Sequence, residues 1–333
     1  MINQRNTYID ILRFVGMSMV ILAHVNTPDI IHQFRCFDVP LMVFISGLSY
    51  SGKSIQANFT HYYFHRVLRL TIPVYIFLTI YFVILAAIGK LPTITTIIGS
   101  FCLLESHSIG YVWIIKVFIL IMIATPLLQA VTQRINRCYF WLLILFLLIF
   151  EEFICINIIQ NIKQPILKLI FTETIPYIIG YSVPFILGLR LRNISAKEEN
   201  ITLVIILTLA LVIFTLHCGL ERSLSLQTFK YPPYPYFLLY GMLISSLLWK
   251  LRNIKFIKTF FNNNLILFIG RNTIWIYLWH IGFVYIANHY IHNWILRWLF
   301  VYFIALCCYY IQYKVVTKLK FKFNCRFLNY LLG

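Results

Sequence analysis

The sequence predicts an all-α polytopic membrane protein with about ten transmembrane helices and both termini in the cytoplasm. The first observation is composition, since 61% of the 333 residues are hydrophobic and only 11% are charged, whereas soluble domains are about 25% charged. The second is that long apolar runs recur along the chain, separated by short basic loops. The third is orientation: with the N-terminus inside, most of the 28 Lys and Arg residues fall on the cytoplasmic side.

Each span is predicted from a run of mostly apolar residues, since about 20 such residues are needed to cross the hydrocarbon core. The second run is shorter, and no gap between runs is long enough for a soluble domain. We therefore expect one membrane-embedded domain over residues 1–333, with a basic amphipathic tail at about 315–333 on the membrane surface. The predicted spans are residues 8–26, 38–51, 68–89, 110–130, 139–159, 174–190, 201–218, 234–250, 264–287 and 294–314.

The first span carries ionisable side chains in an otherwise apolar run, residues 8–26. Ten residues separate Arg13 from His24, which is about three helical turns, so both are predicted on one face about 16 Å apart. Asp10 lies near enough to Arg13 to pair with it. Ionisable groups inside a membrane are costly and indicate function. We interpret His24 as a general base, with Asp10 and Arg13 shaping its field. The alternative is a histidine that makes only a polar contact between helices.

Two arginines stand at the start of the third span. Arg66 and Arg69 are three residues apart and share a helix face, and guanidinium groups bind phosphate well. Together with Arg13 they are candidates to hold the phosphates of a cytoplasmic donor, whose extended pantetheine arm would bring a thioester to His24. The alternative is an ordinary pair of cytoplasmic anchor residues.

A proline- and tyrosine-rich segment, residues 230–236 (KYPPYPY), precedes the eighth span on the outer side. Its prolines disfavour a helix and stiffen the segment. A stiff, aromatic and cationic segment suits a sugar. Lys230 and Tyr231 are therefore predicted to bind the acceptor, which is the molecule whose hydroxyl would attack the thioester. The alternative is a rigid connection within an interfacial aromatic belt.

Other polar or aromatic side chains within spans are candidates for the same acceptor site. Tyr277 and His280 are three residues apart on one face of the ninth span, and Trp113 and Lys116 occupy the fourth. The alternative for these residues is helix packing through interhelical hydrogen bonds. Glu173 is expected toward the outer side, where it either positions the acceptor or lines a hydrated vestibule.

Two other site classes are not expected. Residues 47–54 (GLSYSGKS) match the P-loop pattern letter by letter, but that pattern works between a β-strand and a helix of an α/β domain. Here an apolar span precedes it, so nucleotide hydrolysis is not predicted. No cysteine and histidine spacing typical of a metal site occurs, and no bound metal is predicted. The net charge of +18 is attributed to the basic loops, so nucleic acid is not an expected partner.

The motifs together resemble the acyltransferase-3 family of integral-membrane O-acyltransferases, over nearly the whole chain. The matching features are Arg13-x10-His24, residues 39–47 (VPLMVFISG), Arg66-x-x-Arg69, residues 175–181 (IPYIIGY) and residues 269–280 (IGRNTIWIYLWH).

The resemblance implies transfer of an acyl group, most often acetyl from acetyl-CoA, to a hydroxyl of a cell-surface polysaccharide or its lipid-linked precursor at the bacterial cytoplasmic membrane. It makes His24 catalytic and Arg13, Arg66 and Arg69 essential. Acetyl-CoA is then a co-substrate, no cofactor is permanently bound, and the partners are membrane lipid and the glycan. Residues around Phe44 differ from the family pattern, which leaves the acyl chain length open. The alternative function is a transporter or flippase for an anionic lipid-linked sugar.

Overall fold

The structure is a computed structural model, and it describes residues 6–50, 59–323 and 325–332. Every regular element in these ranges is helical, which confirms the predicted all-α fold class. Residues 51–54 of the P-loop-like stretch lie outside the described residues. The α-helices are α1 Thr7–Leu22, α2 Asp29–Phe34, α3 Asp38–Tyr50, α4 Phe59–Ala87, α5 Ile94–Phe101, α6 Trp113–Arg134, α7 Arg137–Phe153, α8 Ile159–Asn161, α9 Pro165–Leu191, α10 Ala196–Gly219, α11 Pro235–Lys250, α12 Lys255–Phe261, α13 Asn264–Arg271, α14 Thr273–Tyr290 and α15 Trp294–Phe323.

Six helices in the described ranges are long and apolar enough to cross a membrane. A π-helical segment joins α7 to α8, so these two helices count as one of the six. The remaining four predicted spans coincide with α1, α3, α11 and the α13–α14 pair, which are shorter or more polar. The count of ten and the location of the termini therefore stay predictions. The six helices are Arg66–Ala87, Trp113–Arg134, Arg137–Asn161, Pro165–Leu191, Ala196–Gly219 and Trp294–Phe323.

Contacts between Cα atoms divide the chain into two compact units, which are described separately. The first unit comprises residues 1–12, 33–56 and 120–262. The second comprises residues 13–32, 57–119 and 263–333. The unit boundary therefore falls within α1 and again within α6.

In the first unit, α3 and α9 approach so closely that backbone meets backbone. A Cβ atom on Gly47 of α3 would lie 2.1 Å from the Phe185 carbonyl oxygen, and one on Gly188 of α9 would lie 2.2 Å from the Phe44 carbonyl oxygen. Small residues that permit such contact are typical of membrane helix pairs. Gly47 is also the first glycine of the P-loop-like stretch, and its place inside a packed helix differs from that of a phosphate-binding loop.

Gly188→Ala is expected to lower the thermal stability of the detergent-solubilised protein, because the added methyl group overlaps a backbone carbonyl on α3. Overpacking of this kind costs about 1–3 kcal/mol. The matched control is Gly219→Ala at the end of α10, where an added Cβ atom meets nothing within 4 Å. Thermal unfolding of both variants checks the prediction, and equal melting temperatures would contradict it.

In the second unit, α14 packs along α15 and also contacts α4. The Trp279 indole N–H donates to Gln312 Oε1 across the α14–α15 pair at 2.7 Å. The helix α15 runs past residue 315, where the tail was predicted to begin, and ends at Phe323. Beyond it the chain folds back, since the indole of Trp275 donates to the Tyr330 carbonyl oxygen at 2.9 Å.

Candidate active site

His24 lies in a turn just after α1, in the second unit. The helix ends at Leu22, so the helical run predicted over residues 8–26 stops four residues early. The shared helix face predicted for Arg13 and His24 therefore does not extend to His24. The physical reason is the turn that follows, in which the His24 N–H donates to the Ile21 carbonyl oxygen three residues earlier, the pattern that tightens the last turn of a helix. Further along, Asn26 adopts a left-handed conformation with φ of 48°, which asparagine tolerates.

Side chains from the end of the chain hold the His24 turn in place. The amide of Asn288 on α14 donates to the His24 carbonyl oxygen at 2.9 Å. The Arg297 guanidinium on α15 lies 3.4 Å from the carbonyl oxygens of both Val25 and Asn26. These contacts could not be predicted from the sequence, because Asn288 and Arg297 belong to no recognisable motif and lie more than 260 residues from the turn.

The His24 imidazole contacts a second imidazole. His24 Nδ1 lies 3.0 Å from His280 Nε2, and the two rings stack with centroids 5.1 Å apart. His280 on α14 is fully buried, with 0% of its surface exposed, whereas His24 is half-buried. The other ring nitrogen of His280, Nδ1, bonds to the Tyr277 carbonyl oxygen. Two residues that the sequence singled out separately thus meet in one polar network.

Tyr277 connects this network to the loop before α6. Its hydroxyl donates to the Tyr111 carbonyl oxygen, and the edge of the Tyr111 ring packs against His24, with centroids 4.8 Å apart and ring planes at 79°. Tyr111 was not identified from the sequence, although it lies two residues before the predicted Trp113. Trp113 and Lys116 are both buried in the first turn of α6.

The three predicted phosphate-binding arginines belong to the same unit. Arg66 is half-buried and Arg69 is exposed, and both lie on α4, which begins at Phe59 and so extends before the predicted span. The positive charges of Arg69 and Arg13 both act on the Arg66 guanidinium. Three like charges within electrostatic range favour an anionic ligand.

Four predicted site residues belong to the first unit instead. Asp10 and Glu173 are buried there. Lys230 is also buried, with 2% of its surface exposed, and Tyr231 is 39% exposed. The roles predicted for these four residues stay predictions.

The Lys230 ammonium, predicted as part of a sugar-binding segment, lies in a buried ion cluster. Its Nζ atom is 3.4 Å from Asp38 Oδ1, and Arg35 Nη1 is 2.8 Å from Asp38 Oδ2. Burial lowers the pKa of Lys230, and the Asp38 carboxylate opposes that effect. Tyr231 is the exposed residue of the predicted acceptor segment, and the Lys230 ammonium lies 5.5 Å from the centroid of its ring.

Long apolar helices and a network of two imidazoles and two tyrosines define a multi-pass membrane protein with a candidate site for proton transfer. The chain belongs to the acyltransferase-3 family, since the family model described as "Acyltransferase domain" matches residues 6–313. This match confirms the resemblance seen in the sequence and makes the protein a membrane acyltransferase. Comparisons with curated proteins and with solved structures give no match.

Proposed function

We propose that the protein transfers an acetyl group from acetyl-CoA to a hydroxyl of a cell-surface polysaccharide or of its lipid-linked precursor, with His24 as the general base. Family membership supplies acyl transfer as the reaction class. The observation that supports His24 as the base is the position of its half-buried imidazole. Its Nδ1 atom lies 3.0 Å from Nε2 of His280 on α14. A fixed imidazole suits a general base, because proton transfer requires a positioned group.

In the proposed reaction one proton passes from the acceptor hydroxyl through His24 to the thiol of CoA, and a carbon–oxygen bond replaces the carbon–sulfur bond. The acceptor hydroxyl gives its proton to the His24 imidazole while its oxygen attacks the thioester carbonyl carbon. The tetrahedral intermediate then collapses with cleavage of the carbon–sulfur bond. The imidazolium returns the proton to the departing thiolate, so the products are the O-acetyl ester and CoA with a free thiol.

The arginines are proposed to hold the donor from the cytoplasmic side. The charges of Arg13 and Arg69 both act on Arg66, and the three guanidinium groups would pair with the phosphates of acetyl-CoA. The helical part of α1 from Arg13 to its end at Leu22 rises about 14 Å, and His24 follows in the turn. That length is of the order of an extended pantetheine arm, so phosphates at the arginines would place the thioester near His24.

The acceptor is proposed to arrive from the outer face of the bacterial cytoplasmic membrane. Tyr231 is 39% exposed, and an aromatic residue of this kind suits stacking on a sugar. Tyr277, His280 and Trp113 are further acceptor-site candidates in the second unit, where Arg13 would shape the field around the base, and the sequence-based candidates Lys230, Glu173 and Asp10 belong to the first unit. A transporter or flippase would not consume acetyl-CoA, and family membership favours the transferase.

The proposal is tested with inverted membrane vesicles that contain the full-length protein. Vesicles are incubated with acetyl-CoA labelled in the acetyl group, and label is followed into the polysaccharide and lipid-linked glycan fractions. We expect label in these fractions only when the protein is present, and competition by longer acyl-CoA thioesters reports the preferred acyl chain. Vesicles from cells lacking the gene are the control. Unchanged acetyl-CoA and unlabelled glycans in both preparations would contradict the proposal.

A further inference from the structure

The hydrogen bonds of His280 determine where the protons of both imidazoles lie. The Tyr277 carbonyl oxygen has no hydrogen, so it accepts from His280 Nδ1, which must carry the proton. In a neutral imidazole the other nitrogen then accepts. His280 Nε2 therefore accepts from Nδ1–H of His24, which lies 3.0 Å away.

We propose that His280 is a positioning residue that fixes His24 in the tautomer protonated on Nδ1, so that the proton-accepting lone pair is on Nε2. The inference rests on the proposed function, because a tautomer matters most for a residue that takes a proton. It also gives His280 a role different from direct acceptor binding, since both of its ring nitrogens are engaged by protein groups.

The surroundings favour a neutral partner for His24. His280 has 0% of its surface exposed, and Ile276, Ile281 and Val284 of the same helix are also buried. A carboxylate in such a place would carry a large desolvation cost, whereas a neutral imidazole orients His24 without adding charge. Carboxylates that hold a catalytic histidine in one tautomer perform the same orienting task in serine hydrolases.

Contacts on other sides keep the His24 ring in this orientation. The Asn288 amide holds the backbone of His24, and the Tyr111 ring edge packs against the imidazole. The Tyr277 hydroxyl fixes the Tyr111 backbone, while the Tyr277 carbonyl fixes His280. One residue of α14 thus supports both neighbours of the His24 ring.

Two amide substitutions at position 280 separate the proposed role from general packing. A glutamine places its amide group near the position of Nε2, where the amide oxygen accepts from His24. An asparagine places its amide near Nδ1, where it keeps the bond to the Tyr277 carbonyl but does not reach His24. The two side chains share polarity and differ by one methylene group. The matched control is His289→Asn, at an exposed histidine of the same helix.

The activity test uses the full-length protein in nanodiscs with acetyl-CoA and water as acceptor, followed by release of the CoA thiol. For His280→Asn we expect kcat to fall about 10²-fold, comparable to the loss of an orienting partner in other sites. His280→Gln should stay within about 5-fold of the wild type, and KM for acetyl-CoA should change by less than about 2-fold in either variant. Equal kcat values for the two variants, or a change in KM alone, would overturn the inference.

A spectroscopic test decides the tautomer independently of activity. In ¹⁵N-histidine-labelled protein, protonated and lone-pair ring nitrogens have well-separated chemical shifts, and His24 signals are assigned by their loss in His24→Asn. We expect Nδ1 of His24 to be protonated in the wild type and the tautomers to mix in His280→Asn. A wild-type His24 protonated on Nε2 would overturn the inference even if the variants fail to fold. Absence of acetyl-CoA turnover together with the expected spectrum would instead reject only the proposed function.

Discussion

His24→Asn is expected to lower kcat for acetyl transfer by about 10²–10⁴-fold, the usual contribution of general acid–base catalysis. The asparagine amide replaces Nδ1–H and preserves the bond to His280, but it has no atom that accepts a proton at the position of Nε2. Because the arginines that would hold the donor are unchanged, KM for acetyl-CoA should stay within about 2-fold. Initial rates of thiol release at several acetyl-CoA concentrations separate kcat from KM.

The pH dependence of the same reaction provides a second readout. A general base is active only when neutral, so wild-type activity should rise with pH as the imidazole loses its proton. That rise should vanish in His24→Asn, whereas the exposed control His289→Asn should retain both the rate and the profile. Wild-type turnover in a folded His24→Asn protein would show that another group accepts the proton.

The sequence identified residues whose chemistry is unusual for their surroundings. His24, Arg13 and the Arg66-x-x-Arg69 pair were recognisable because charged and polar side chains are rare in apolar runs. The all-α fold class followed from composition and from the length of those runs. These signals are local, so one sequence suffices to read them.

The pairing of distant residues was not accessible in the same way. His24 and His280 were both singled out, yet 256 residues separate them, and no local pattern specifies that their rings stack. The predicted end of α1 lies four residues beyond the observed end at Leu22, because the apolar run continues through Val25. The turn after the helix is held by hydrogen bonds from Asn288 on α14 and Arg297 on α15. Tertiary contacts decided both features.

Lys230 shows a related limit of sequence reasoning. A lysine in a polar and aromatic loop between spans is predicted to be exposed, because charged side chains are rarely buried without a partner. Here Asp38, 192 residues earlier in the chain, supplies that partner. The pair is formed by folding of the first unit, so the loop sequence alone does not reveal it.

Asp38→Asn is expected to cause a large loss of stability in the first unit. The Asp38 carboxylate balances two cations, with Arg35 Nη1 at 2.8 Å and Lys230 Nζ at 3.4 Å, and the three side chains are only 2–3% exposed. Asparagine removes the negative charge and leaves two buried cations close together. Breaking a buried ion pair in this way costs about 3–5 kcal/mol, measured here as a fall in the melting temperature of the solubilised protein.

We expect the size of this loss of stability to depend on how deeply the ion pair is buried. A more exposed ion pair of the same unit provides the comparison. Glu152 accepts from Arg222 at 2.7 Å, but these side chains are 24% and 36% exposed, and pairs near solvent contribute about 1 kcal/mol or less. Glu152→Gln should therefore lower the melting temperature much less than Asp38→Asn does. Adding Lys230→Met to Asp38→Asn removes one of the two buried cations, so the double variant should recover part of the loss. If the double variant is less stable than Asp38→Asn alone, the charge imbalance is not the cause, and packing of the Lys230 side chain dominates instead.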